Sequence, residues 1–213
     1  IDDEETREVD DALAIKREGD QWQITIAISD PASVVHRGDV LDREAMRRGT
    51  TVYLPTQTVL MLPEPVSCDI ASLTAGQVRS AIVVRAWLDD QGQLTQSNIS
   101  REAICVRQRL HYSDADELLA HGQDATAQQL RELLACAKHL QTQRIAEGAF
   151  NLQRPEFKVS VTNGNIKIAL IDKDSPSRLL VAEMMILANH IAAKYAQRHQ
   201  VPIIYRTQDA PVD

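Results

Sequence analysis

The chain of 213 residues is long enough for one large domain or two small ones. Its 44% apolar and 25% charged residues exclude an intrinsically disordered chain. A net charge of −7 argues against a nonspecific nucleic-acid coat, which is normally basic, though not against an enzyme that draws a strand toward metal-bound carboxylates.

Residues 12–16 read as a strand, 17–20 as a turn carrying Gly19-Asp20, and 22–29 as a second strand whose alternation gives way to an apolar run. Asp30-Pro31 ends this hairpin. Residues 39–48 read as a helix with Val40, Leu41 and Ala45 inward and Gly49 as its stop. Two short extended pieces follow, 50–55 and 58–63, then an irregular stretch, 64–76. Residues 80–88 and 93–106 make a strand pair around the tight turn 89–92. Helical signals then take over. A short helix spans 113–121, and an amphipathic one spans 124–147, with Leu130, Leu133, Leu134, Ala137 and Leu140 on one face and Gly148 after its end. Residues 155–161 and 165–171 flank Asn163-Gly164, a strong hairpin signal. Ser175-Pro176 opens a long helix to about His199, with Ser as N-cap and Pro at the first helical position. Its middle, 179–189, is apolar nearly all round, which predicts burial on most faces. Residues 202–206 read as a final strand. No repeat, low-complexity tract, linker, signal peptide or apolar run of membrane-spanning length is evident. The pattern predicts an α+β fold: a mixed, largely antiparallel sheet flanked by helices, the long helix near its centre.

Cys68, Cys105 and Cys136 are odd in number and far apart. They fit neither a zinc spacing nor a disulfide framework and read as buried thiols in a reducing compartment. The six His residues form no ligand spacing, and Met184-Met185 reads as core.

The most unusual stretch precedes the first strand. Seven of the first eleven side chains are carboxylates against one base, Arg7, which leaves −6 here and −1 for the rest of the chain. Carboxylates this dense repel and raise one another's pKa. Two readings follow: a solvated acidic face, or a folded cluster neutralised by a hard cation such as Mg2+ or Mn2+. Local chemistry leaves both open. On an extended strand Asp10 and Asp11 would point to opposite faces, so a shared site requires the backbone to bend there and Asp2 to return across the loop. The helix-loop-helix Ca2+ template is excluded because its central Gly is missing. Carboxylate-held metals with open positions suit phosphodiester hydrolysis.

These residues carry a resemblance. Ile1-Asp2, Glu8 and Asp10-Asp11-Ala12 resemble the first catalytic motif of the RNB domain, the catalytic domain of the ribonuclease II and ribonuclease R exoribonucleases. Ile26-Ala27-Ile28-Ser29-Asp30, Thr51-Val52-Tyr53-Leu54-Pro55, Met61-Leu62-Pro63-Glu64, Ser72-Leu73, Arg109-Leu110-His111-Tyr112, Leu179 to Asn189, and Tyr205-Arg206 with Pro211 resemble later signatures in the same order. Val-Ala-Glu-Met-Met at 181–185 and Tyr-Arg-Thr-Gln at 205–208 look closest to cyanobacterial and plastid members. The resemblance implies processive 3′-to-5′ hydrolysis of single-stranded RNA to nucleoside 5′-monophosphates with Mg2+, Mn2+ being an alternative. It implies a monomer in the cytoplasm, or in a plastid if the source is eukaryotic. Asp2, Glu8, Asp10 and Asp11 would be the metal and catalytic carboxylates. Tyr53 would stack on the 3′-terminal base and Tyr112 would help hold RNA; Phe150, Glu183 and Arg206 are further candidate RNA contacts. Taken alone, Tyr53 reads as a half-buried strand residue and Glu183 as a buried acid that needs a partner. Arg206 suits a phosphate or a structural acid equally.

Three departures stand out. The family's usual Asp is Glu8 here, which keeps the charge and adds a methylene. The first of two consecutive acids in the long helix is Ala182, which bears on recognition of the 2′-OH. The Phe that would clamp the terminal base has no clean match, Phe150 being about one residue out of place. The resemblance also implies that the domain continues past Pro211 to paired arginines, one acting on the phosphate. The chain, without an initiator Met and opening inside a motif, is therefore expected to be a fragment of the catalytic domain. A noncatalytic RNA-binding or scaffold member of the same fold is the alternative.

Overall fold

The computed structural model describes residues 1–150, 155–162, 165–171 and 175–205. The β-branched runs and the Gly19 turn fold as expected into a hairpin of β1 (Asp11–Glu18) and β2 (Gln21–Ser29). Next come α1 (Val40–Arg48), the two-residue strands β3 (Val52–Tyr53) and β4 (Thr58–Val59), and the long pair β5 (Val78–Leu88) and β6 (Leu94–Cys105). Then follow α2 (Tyr112–His121), α3 (Ala125–Ala146), the hairpin β7 (Phe157–Thr162) and β8 (Asn165–Leu170), and α4 (Pro176–Arg198). Asp39, Asp124 and Ser175 cap α1, α3 and α4, each accepting a backbone N–H of the first turn.

The main sheet has the order β1-β2-β5-β6. All its pairs are antiparallel; the only parallel pairing among the described residues is an isolated bridge between Asp2 and His111. Ile24 of β2 stands between Ile15 of β1 and Ala86 of β5. This face, with Ile26, Val84 and Leu88, packs against Ala115 of α2, Leu130, Leu133 and Ala137 of α3, and Leu180 and Met184 of α4. Each large side chain fully buried here contributes about 1.5–3 kcal/mol. Gly92, in the β5–β6 turn, has φ +75°, and a Cβ there would come within 2.6 Å of His139 of α3. That close approach needs glycine. A smaller cluster of Val9, Ala27, Leu73, Ala81 and Val83 covers part of the other face.

Several expectations are corrected. Burial of α4 is one-sided: Leu180, Met184, Leu187 and Ile191 are inside, whereas Ala182, Ile186 and Asn189 face outward. By length and composition alone α4 could span a bilayer, so the sequence does hold one such run; here its apolar stripe forms the core. Val40 points outward, leaving Leu41 and Ala45 to pack on Leu62, Val66 and Ala71. The stretch expected to be irregular holds a π-helical turn, Val66–Ile70. Residues 202–205 form no strand, since none of the strands among the described residues pairs with them, and Ile204 is 99% exposed. Of the thiols only Cys136 is buried; Cys105, at the end of edge strand β6, is exposed. The β7–β8 hairpin sets Phe157, Val159, Ile166, Ile168 and Leu170 on one exposed face.

Candidate active site

The acidic stretch is not a loose tail. Val9 is its anchor: Leu73 N donates to Val9 O at 2.8 Å, and Val9 N donates to Ser72 Oγ at 3.0 Å. Val9 is 7% exposed and packs in the small cluster under the sheet. With Val9 pointing inward, Glu8 and Asp10 on either side must turn out of that face. Asp10 is fixed by Ser29, whose N donates to Asp10 O at 2.8 Å and whose Oγ donates to Asp10 Oδ1 at 3.3 Å. Asp11 begins β1 opposite Ile28. Asp2 returns across the loop, as a shared site requires. Its N donates to Leu110 O at 3.2 Å and its O accepts from Tyr112 N at 3.1 Å.

Further tethers hold the loop between these points. Thr6 N donates to Asp3 O, closing a turn, and Arg109 donates to Thr6 O. Lys158 of β7 pairs with Glu5, and Arg7 with Glu64. Asp3 pairs with Arg178 at 2.6 Å, and the Arg178 guanidinium lies 4.0 Å from the centre of the Tyr112 ring. Arg178 is aimed by the start of α4, which Asp116 of α2 secures by accepting from Ser175 Oγ (2.7 Å) and Ser177 N (2.9 Å).

The electrostatics show what this folding costs. Burial raises the Asp10 carboxyl above its ordinary range, and the charges of Glu8 and Asp2 add to that, while the Ser29 hydrogen bond opposes it. Asp10 lies open at its surface yet is crowded by protein on its inner side, which is why desolvation leads. Burial also raises Asp11, with Asp2 and Asp10 adding. Asp2 Oδ2, Asp11 Oδ2 and His111 Nδ1 are buried with no hydrogen-bond partner among the described residues. Two buried, uncapped carboxylate oxygens in one repulsive field match the chemistry of a hard oxygen-seeking cation. Among the described residues no three His, Cys, Asp or Glu side chains close on one point as a finished metal cage. The four carboxylates share a field without forming a preformed chelate.

Tyr53 joins this group. It is 71% exposed on the short β3–β4 hairpin, yet its hydroxyl donates to Glu8 Oε2 at 3.0 Å. Burial of the phenol end, with the hydrogen bond and charge of Glu8, pushes its pKa up to about 12, so it remains a donor at neutral pH. Tyr112 is half-buried; burial raises its pKa against the pull of Arg178, with Asp2, Asp11 and Asp3 adding. Asp11 also lines a cleft of about 670 Å³ along the free edge of β1, bounded by residues 104–110 and the first turns of α3, with Arg107 and Arg109 on its wall.

The other predicted contacts lie elsewhere. Phe150 follows α3 and is 84% exposed. Glu183 is 2% exposed, and Arg144 of α3 grips both its oxygens, at 2.5 and 3.1 Å. This is the partner a buried acid in an apolar helix needs. Arg206 lies outside the described residues. Sequence reasoning missed the supporting residues Ser29, Asp3 and Arg178. Ser29 stands two residues beyond Ala27 in a strand opposite the acids and could have been found from hairpin register; the 175-residue separation of Asp3 and Arg178 left no local signal.

The chain matches the RNB domain over residues 1–213. It is 34% identical over 212 residues to an uncharacterized ribonuclease, sll1290, of a Synechocystis strain, covering 99% of this chain and 32% of that protein. It is 34% identical over 215 residues to the chloroplastic/mitochondrial ribonuclease II of Arabidopsis thaliana, covering 98% of this chain and 26% of that protein. In three dimensions it resembles Mycoplasma genitalium RNase R in complex with ribose-methylated single-stranded RNA, with a TM-score of 0.88 and 25% identity over 94% of this chain and 32% of that one. The chain thus spans about a third or less of the length of these relatives.

Proposed function

This chain belongs to the RNB domain family, and we propose that it carries the catalytic carboxylates of a metal-dependent exoribonuclease that hydrolyses single-stranded RNA from the 3′ end to nucleoside 5′-monophosphates. The observation that supports this best is the pair of buried, uncapped oxygens on Asp2 and Asp11, beside an Asp10 whose pKa is raised by burial and by its acidic neighbours. A protein that spends tethers from across its length on gathering mutually repelling carboxylates holds them for a ligand that relieves the repulsion.

Asp2, Glu8, Asp10 and Asp11 are the residues that would hold Mg2+ or Mn2+. Bound there, the cation would lower the pKa of water and neutralise phosphate charge. In the overall reaction a water oxygen bonds to the terminal phosphorus, the P–O3′ bond breaks, and the products are a nucleoside 5′-monophosphate and a new 3′-OH. The exposed ring of Tyr53 supplies a stacking surface within reach of Glu8, worth about 1–3 kcal/mol per base and indifferent to base identity. Tyr112, held under Arg178 next to Asp2, gives a second aromatic on the other side of the loop. Arg107 and Arg109, beside Asp11 in the cleft, favour an anionic strand.

The test uses the complete protein, a uniformly labelled single-stranded RNA and Mg2+. Wild type releases mononucleotides in single-nucleotide steps, and Asp10→Asn still binds RNA but cleaves at least about a hundredfold more slowly. RNA binding without mononucleotide release by the wild type would place the chain among noncatalytic members of the fold. Undiminished cleavage by Asp10→Asn would remove the acid loop as the site.

A further inference from the structure

Three of the four candidate ligand residues are placed by bonds at or beside their own backbone. Asp2 is set by two backbone hydrogen bonds, Asp10 by Ser29, and Asp11 by strand register. Glu8 is the exception. It has the longest side chain of the four, its neighbour Arg7 is turned away to Glu64, and its carboxylate receives one hydrogen bond among the described residues, from the Tyr53 hydroxyl. Freezing an unrestrained Glu side chain costs as much rotamer entropy as almost any side chain loses. A hydrogen bond to a charged acceptor offsets a cost of that size. The bond occupies Oε2 and leaves Oε1 for another partner.

The placement of Tyr53 makes this bond consequential. The residue sits on a two-stranded hairpin, 45 residues from Glu8, with Tyr53 opposite Thr58 and the turn closed by Leu54 N donating to Gln57 O at 2.9 Å. The backbone of that hairpin therefore fixes where the hydroxyl lies. The added methylene of Glu8 carries the carboxylate out to meet it, whereas an Asp at the same backbone position holds its carboxylate one carbon nearer the chain.

We propose that Tyr53 is a positioning residue whose hydroxyl fixes Glu8 for cation binding, a role separate from any stacking by its ring. The proposal rests on the metal-dependent exoribonuclease reading and assigns to the hydroxyl what that reading assigns only to the ring. It also accounts for Glu8: the longer acid and the tyrosine hydroxyl work as a pair.

The experiment is a double-mutant cycle in the complete protein with Tyr53→Phe, which keeps the ring, and Glu8→Asp, which withdraws the carboxylate. Mn2+ binding is measured by isothermal titration calorimetry without RNA, and RNA binding by fluorescence anisotropy in EDTA. Tyr53→Phe weakens Mn2+ binding about tenfold, and the anisotropy measurement separates that loss from any change in stacking by the ring. In the Glu8→Asp background, Tyr53→Phe causes no further loss of Mn2+ affinity. The proposal is overturned if Tyr53→Phe binds Mn2+ like wild type, or if it causes the same loss in both backgrounds. With a wild type that binds Mn2+ and releases mononucleotides, either result removes only the positioning role. A wild type that binds no Mn2+ removes the metal-dependent reading and this proposal together. Tyr53 is exposed enough for its Phe variant to fold.

Discussion

Replacing Ser72 with Ala should loosen the acid loop without touching an acid. Ser72 is fully buried and its Oγ is the acceptor for Val9 N. The substitution removes one oxygen and leaves a gap too small for water, which needs about one probe sphere and two or more polar partners. Val9 N–H, on a residue only 7% exposed, is then buried without an acceptor. An orphaned buried donor costs about 1–3 kcal/mol. For a domain of this size each kcal/mol lowers Tm by about 2–4 °C, so the expected fall is roughly 2–12 °C. Ser67→Ala is the matched control. Ser67 is also buried, but its Oγ only donates to Leu62 O over 3.4 Å, and the change should cost about 0.5 kcal/mol or less. Differential scanning calorimetry of the complete protein, with and without Mg2+, resolves the two. Val9 lies between Glu8 and Asp10, so Ser72→Ala should also reduce the extra stability that Mg2+ confers. Equal Tm values for Ser72→Ala and Ser67→Ala would show that the Val9 anchor does not hold the loop.

Arg144→Met leaves Glu183 buried and unpaired and should cost about 3–5 kcal/mol by urea unfolding, whereas Arg144→Met with Glu183→Leu should be near neutral; similar losses in both would mean the pair is not what joins α3 to α4. The pH profile follows from opposing shifts. Asp10 and Asp11 are raised above the ordinary 3.8, so between that value and their raised values the folded chain binds more protons than the unfolded one. Their contribution therefore makes metal-free stability fall as pH rises through that window, and Mg2+ should reverse the fall. Glu102 works the other way: Arg85, with help from Ser100, lowers it to about 2, so its contribution is complete above 4.5 and is lost as pH falls through about 2. Urea midpoints from about pH 3 to about pH 7, with and without Mg2+, test both limbs, and a Mg2+ effect that does not grow with pH would contradict the carboxylate assignment.

The antiparallel sheet was legible because its strands carry local signals. Ile24, Ile26 and Ile28 alternate with polar or small residues, and Gly19 and Gly92 mark the turns. The helices were legible from apolar spacing, from Gly49 and Gly148 past the ends of α1 and α3, and from Ser175-Pro176 at the start of α4. What failed depended on neighbours. Ile203 and Ile204 have strand-forming side chains but no strand beside them among the described residues, and propensity alone does not make a ladder. Val40 fits the helical period yet faces out, since the cluster under α1 is small and is reached by Leu41 and Ala45. The acid loop was visible as charge, and its bend as the condition for a shared site; the tethers that make the bend were not, because Ser72 and Leu73 lie over sixty residues from Val9. The Glu8–Tyr53 bond escaped notice for the same reason.

Those long separations bear on when the loop can exist. Its tethers reach Tyr53 first, then Ser72, Leu110, Lys158 and finally Arg178, 175 residues from Asp3. Contacts so distant in sequence carry the largest loop-closure cost and form late in folding. The acids are the first part of this chain to be synthesised, and their geometry is completed only when α4 has packed. A nascent or partly unfolded chain would present these carboxylates apart, so the order of assembly itself withholds their grouping until α4 has packed.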